Sequence, residues 1–262
     1  KATNLLINNP APINNYFGSV LFKPGVPVIC IPTTSGTGCE QSGGAVITDT
    51  KKNAKGAVST GAPTLAIVDP ELTIGLPRSL TLAGAMDAFA HSVEIATSVY
   101  PTYFAEILML DGVKKIMKHL PIVLEDGNNI EAREKIMFAS SVAGSAFSIS
   151  YPHLGHAIGH SLGTKFHLPH GFAVISCLPK VIEYVALSVP DQVIRLGEAM
   201  GIILEKNVTR EEIGKHVGHA IQIFKSHHGV PSLKDMGLSL EDALSVTPMV
   251  FDDVMYMFSP RM

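Results

Sequence analysis

The stretch LAIVDPELTIGLPRSLTLAGAMDAFAHSVE (65–94) contains the change on which the fold turns. Its first five residues, LAIVD, form a short apolar run stopped by Pro70, the pattern of a strand. Beyond Pro77 the apolar positions Leu82, Ala83, Met86, Ala90 and Val93 follow helical spacing, and no proline interrupts them. Upstream of the change the segments stay short and are bounded by Gly, Pro and Thr: VPVICIP (26–32) and GAVITD (44–49) read as two more strands. VPVICIP is apolar throughout, which predicts a strand covered on both faces and a sheet flanked by helices. Downstream, cap residues punctuate long helical segments. Ser79 predicts a helix to about Ser98, Thr102 one to His119 and Asn129 one to Ser148. Thr209 with Glu212 forms a capping box for a helix ending near Gly229, and Ser239 with Asp242 repeats the pattern. The expected fold class is therefore α/β plus all-α. Residues 1–76 form the C-terminal remnant of an α/β domain, and residues 77–262 an all-helical domain. The opening KATNLLINN reads as the tail of a helix, so a preceding segment is expected.

Composition removes several classes of function. With 46% apolar and 16% charged residues, the 262-residue chain can bury a large core. Its net charge of −3 and the lack of a Lys/Arg run leave no electrostatic footprint for nucleic acid. No apolar run approaches the length needed to cross a bilayer, and the polar opening lacks a signal-peptide core, so a cytoplasmic protein without membrane partners is expected. Cys30, Cys39 and Cys177 are odd in number and far apart; they are read as small buried hydrophobes, with no disulfide framework and no thiolate site.

The chemistry concentrates in HLGHAIGHSLGTKFHLPHG (153–171), which holds five of the eleven histidines. His156 and His160 are four apart in a segment that follows Pro152, so both rings are expected on one helical face. His170, between Pro169 and Gly171, is expected in a turn that folds a third imidazole back toward that helix. His153 and His167 are less well aimed and are read as satisfied or solvent-facing. A further ligand is expected from GAMDAFAHSVE (84–94), where Asp87 and His91 are again four apart on an otherwise apolar helix and burial of the aspartate needs a cation or partner. Asp87, His91, His156 and His170 supply one carboxylate and three imidazoles without a thiolate. Such a set suits Fe(II) or Zn(II), with Mn, Co and Ni left open. The residue after His156 is Ala157 where a zinc peptidase needs its general-base glutamate, which rules out that reading. The loop IPTTSGTGCEQSGG (31–44) brings small hydroxyls and glycines to the end of a strand, as anion and nucleotide sites do. Gln41 stands where a third glycine would complete the dinucleotide fingerprint.

IPTTSGTGCE, VDPELT followed by LP, GAMDAFAHSVE and HAIGHSLGTKFHLPHG, in this order, resemble the motifs of the iron-containing (group III) alcohol dehydrogenases. The resemblance implies a truncated Rossmann-like dinucleotide-binding domain followed by a helical metal-binding domain. It also implies hydride transfer between NAD or NADP and a small alcohol or aldehyde in the cleft between them. The metal ligands it implies are Asp87, His91, His156 and His170, with His160 as a further active-site histidine relaying a proton. Thr33, Thr34, Thr37, Ser42 and Lys55 match the cofactor side. The family's pyrophosphate loop is absent, and Lys1 resembles the lysine that follows it, so the chain is expected to start just downstream of that loop. A homo-oligomer is expected. The alternatives are a zinc-dependent glycerol-dehydrogenase-like or dehydroquinate-synthase-like sister enzyme, or a non-catalytic metal-binding fragment.

Overall fold

The computed structural model describes residues 1–19, 21–50, 54–100, 102–205 and 207–262. After a short helix α1 (Ala2–Leu5), four strands follow: β1 (Ile29–Cys30), β2 (Gly44–Asp49), β3 (Ala54–Ser59) and β4 (Leu65–Ala66). β1 and β4 pair in parallel, Ile29 opposite Leu65, while β2 and β3 pair antiparallel, Gly44 opposite Ser59. GAVITD is β2 to the residue, but VPVICIP narrows to two residues and LAIVD to two. The expectation of a strand covered on both faces is not met. β1 has β4 as its sole ladder partner among the described residues, and Ile29 and Ile31 stay 60% and 53% exposed. β3 escaped the sequence reading because AKGAVS has no apolar alternation of its own; its pairing with β2 makes it a strand.

The rest is helical: α2 (Arg78–Ala96), α3 (Tyr103–Glu125), α4 (Ile130–Ala146), α5 (Leu154–Phe166), α6 (His170–Val185), α7 (Pro190–Ala199), α8 (Arg210–His227), α9 (Leu240–Leu244) and α10 (Thr247–Asp252). Thr102 and Asn129 cap α3 and α4 by accepting from the backbone N–H of Ala105 and Ala132, and both capping boxes are formed. Ser79 is not a cap: α2 already begins at Arg78, because Pro77, whose ring fixes φ, leads the chain into the helix. α3 continues through Pro121 to Glu125, past the expected end at His119. No helix of the described residues is long and apolar enough to cross a membrane.

α2 is the centre of the helical body. From Ala85 to Ser98 every residue is buried; Met86, Phe89 and Val93 share one core with Val113 and Ile116 of α3, Ile136 and Ala139 of α4 and Ile175 and Ile182 of α6, and Phe89 meets the Phe224 ring of α8 at 5.1 Å between centroids. Each fully buried side chain of this size contributes about 1.5–3 kcal/mol. A helix enclosed on all sides carries any polar residue it contains into the interior, and α2 contains Asp87, His91 and Glu94. The three cysteines depart from expectation: Cys39 is exposed, and Cys30 and Cys177 are half-buried.

Candidate metal centre

Three helices aim polar side chains at one point. Asp87 leaves α2, His156 leaves α5 and His170 opens α6, so this last residue is helical and not in the expected turn. Pro169 accounts for the difference, since it starts a helix as readily as it makes a turn. Asp87 Oδ1 lies 3.4 Å from His170 Nε2 and 3.7 Å from His156 Nε2. Ligand atoms of these three residues all lie within 4.8 Å of one another. His91 stands beside the trio. One turn beyond Asp87 on α2, it stacks flat on His156 with ring centroids 4.3 Å apart and keeps Nδ1 3.9 Å from Asp87 Oδ1.

Asp87 Oδ1, His91 Nδ1 and His156 Nε2 are buried with no hydrogen-bond partner, and His170 turns its Nε2 toward the same Asp87 oxygen. One such atom costs about 1–3 kcal/mol, and three in one place need a common explanation. A divalent cation supplies it, and a carboxylate with imidazoles is the donor set such an ion takes. The electrostatics agree. Burial opposes ionisation of Asp87, yet the surrounding His91, His170 and His156 hold its carboxyl far below the usual carboxylate range. Burial lowers His91 to about 4 and His170 to about 3, leaving both rings neutral and their lone pairs free at pH 7. His156 behaves in the opposite way: burial disfavours its charge, but the Glu94 carboxylate overrides that and raises it to about 9.

Two acidic residues at the site escaped the sequence reading. Glu94, two turns past Asp87 on α2, is fully buried against His156. Its signal lay inside GAMDAFAHSVE, at the seven-residue spacing that returns a side chain to the same helical stripe. Asp253, just after α10, accepts from His160 Nδ1 at 2.9 Å and caps the following 3₁₀ turn through the N–H of Met255. It is 93 residues from His160, and no local pattern announces it. The remaining two histidines meet expectation: His153 is buried 3.0 Å from Thr97 Oγ1, and His167 is exposed at the left-handed C-cap of α5.

A cleft of about 930 Å³ opens onto the centre. His91, His156, His160 and His170 line it together with Phe147, Tyr151 and Met255, and it extends past Lys55, Thr37 and Ser42. Thr33 and Thr34 are exposed and do not line it. The glycine-rich loop turns instead toward the helices: Gly38 adopts φ +58° with its Cα against the backbone of Ser140 and Gly144 of α4, where a Cβ has no room. Lys1 fastens the same loop, donating from Nζ to the carbonyls of Cys39 at 2.7 Å and Ser42 at 2.9 Å. Lys55 is half-buried and its pKa is lowered by burial, against the pull of Asp253 and Asp87.

The molecule is thus an α/β plus all-α protein with a buried carboxylate–imidazole centre at the end of a long cleft. Residues 81–262 match the model of the Fe-containing alcohol dehydrogenase family, C-terminal, and residues 1–70 match that of iron-containing alcohol dehydrogenase. The chain belongs to the iron-containing alcohol dehydrogenase family. It is 33% identical over 265 residues to the NAD-dependent methanol dehydrogenase of Bacillus methanolicus, a match covering all of this chain and 69% of that enzyme. It is 37% identical over 196 residues to the sulfoacetaldehyde reductase of Bilophila wadsworthia, covering 73% of this chain and 50% of the relative. Among solved structures, alcohol dehydrogenase from Oenococcus oeni superposes with a TM-score of 0.93 at 29% identity, covering 100% of this chain and 69% of that one. The chain therefore spans between half and about two thirds of the length of these relatives.

Proposed function

We propose that the chain is the metal-holding part of an NAD(P)-dependent alcohol dehydrogenase that interconverts a small alcohol and its aldehyde. The buried, unpartnered atoms of Asp87, His91 and His156, with His170 Nε2 turned toward Asp87 beside a cleft, carry this reading. Asp87, His91, His156 and His170 hold Fe(II), with Zn(II) as the alternative. A divalent ion at that position supplies Lewis-acid polarisation of the substrate oxygen, and the nicotinamide supplies the hydride chemistry.

The chain's own residues do the rest. Asp87 provides the one negative charge among the ligands, so three neutral imidazoles leave the centre net positive. His160 exchanges the hydroxyl proton: Asp253 occupies its Nδ1 and leaves Nε2 for the reaction, and imidazole is the side chain suited to accept and donate near neutral pH. Phe147, Tyr151 and Met255 give the cleft an apolar flank that keeps water from the reacting atoms. Thr37, Ser42 and Lys55 bind the cofactor along the cleft. In this division of labour residues 1–76 are the cofactor side and 77–262 the metal and catalytic side. A cytoplasmic homo-oligomer completes the proposal, favoured by the exposed apolar Tyr103, Phe104 and Ile107 along one end of α3.

Elemental analysis of anaerobically purified protein tests it. About one iron or zinc per chain is expected, lost in both His156→Ala and Asp87→Ala. Retention of metal in both variants would place the ion elsewhere and sink the assignment.

A further inference from the structure

We propose that Glu94 is the positioning residue of the metal centre: it fixes the His156 ring with hydrogen on Nδ1 and so presents the Nε2 lone pair to Asp87 and His170. The proposal rests on the metal reading above and assigns a task to a residue that does not reach the ion.

Glu94 divides its carboxylate between two elements. Oε1 accepts from the backbone N–H groups of Gly155 at 2.7 Å, His153 at 3.1 Å and His156 at 3.3 Å, the donors that the first turn of α5 leaves without helical partners. Gly155 makes the approach possible, since a Cβ there would stand 2.9 Å from both carboxylate oxygens. Oε2 is not needed for that cap and is bonded to His156 Nδ1. An ionised carboxylate only accepts, so the bond requires the proton on Nδ1. Once the ring is neutral, as a metal ligand must be, the opposite nitrogen, Nε2, is the bare one, and it is the atom found buried without a partner 3.7 Å from Asp87 Oδ1.

The carboxylate is itself held in place. Glu94 has no exposed surface, and His153, whose Nδ1 lies 3.3 Å from Oε1, is anchored on its far side by Thr97 Oγ1 at 3.0 Å. Asp87 and Glu94 occupy one stripe of α2, two turns apart. A single rigid helix therefore carries one carboxylate of the metal set and the carboxylate that orients a second ligand. Partners of this kind orient a ligand and raise its basicity, and their loss typically lowers metal affinity 10–100-fold.

Glu94→Gln separates capping from positioning. The glutamine carbonyl can still accept from the α5 backbone, but its amide donates toward His156 Nδ1, which forces the hydrogen onto Nε2. We expect Co(II) affinity, read from the d–d absorption bands in a chelator competition, to fall 10–100-fold while the thermal midpoint of the metal-free chain stays near that of wild type. Unchanged affinity in a folded Glu94→Gln protein would make Glu94 a helix cap alone and overturn the proposal. Should that variant not fold, long-range ¹H–¹⁵N spectra of wild-type chain decide, recorded at alkaline pH with His156→Ala for assignment. Hydrogen on Nδ1 of His156 supports the proposal and hydrogen on Nε2 overturns it. If wild-type protein binds no cobalt, the metal reading fails, and the same spectra judge Glu94's hold on His156 by itself.

Discussion

Metal binding to this centre should gain strength with pH at a slope the structure specifies. A ligand must shed its proton before it binds, so apparent affinity follows the protonation of the ligand set. Asp87 is ionised throughout the accessible range, and burial keeps His170 (about 3) and His91 (about 4) neutral above pH 5. One ligand is left to respond. His156, raised to about 9 because the Glu94 carboxylate outweighs the cost of burial, carries an extra proton at pH 7 and loses it around pH 9. Apparent affinity for Zn(II) should therefore rise about tenfold per pH unit below about pH 8, roughly fiftyfold from pH 7 to pH 9, and level off above pH 9. Competition with a chelator of known pH dependence, run from pH 6 to pH 10, measures the curve. Calorimetry in buffers of different ionisation enthalpy should count close to one proton released at pH 7. A flat profile would mean that His156 is not the proton-bearing ligand. A slope near two would mean that a second buried imidazole is charged, contrary to the neutral His91 and His170 argued above.

Four further outcomes are expected. Asp87→Asn keeps the shape but removes the one anionic ligand, and elemental analysis should find the chain without iron or zinc. His160→Phe should retain metal and slow turnover of the assembled enzyme by about 10²–10⁴-fold, the usual contribution of a general acid–base group; metal loss instead would make His160 a ligand. Stripping the metal should lower the thermal midpoint, since an ion held at a hundred times its Kd contributes about 2.7 kcal/mol. An unchanged midpoint after chelation would argue against a tight site. Gly38→Ala meets both the left-handed backbone, about 1–2 kcal/mol, and the close backbone of Ser140 and Gly144, about 1–3 kcal/mol of overpacking. Chemical denaturation should show the combined loss.

What the sequence revealed about this molecule follows from the range of the interactions. Thr102, Asn129, Thr209 and Ser239 were legible as helix starts because a cap is made within three residues of the side chain that makes it. Asp87 with His91, and His156 with His160, were legible for the same reason: four-residue spacing fixes a shared face before any tertiary contact exists. β3 was not, since its six residues acquire strand geometry only against β2. The placement of His91 beside the metal trio, stacked on His156, depends on where α5 crosses α2, and spacing along one helix does not encode a crossing. Asp253 lay furthest out of reach, because it meets His160 only after the whole helical body has folded.

The helix with the least amphipathic pattern turns out to be the one that organises the chemistry. α2 is enclosed by α3, α4 and α6, so it has no polar face to point at water, and its charged residues are held in the interior by the packing around them. Burial of two carboxylates on such a helix is tolerable only if each is fully met. Glu94 is met by three backbone N–H groups and an imidazole; Asp87 has imidazoles around it and one oxygen still unpartnered. That asymmetry supports the proposed cation site: the same interior that satisfies one carboxylate completely leaves the other short of a positive charge.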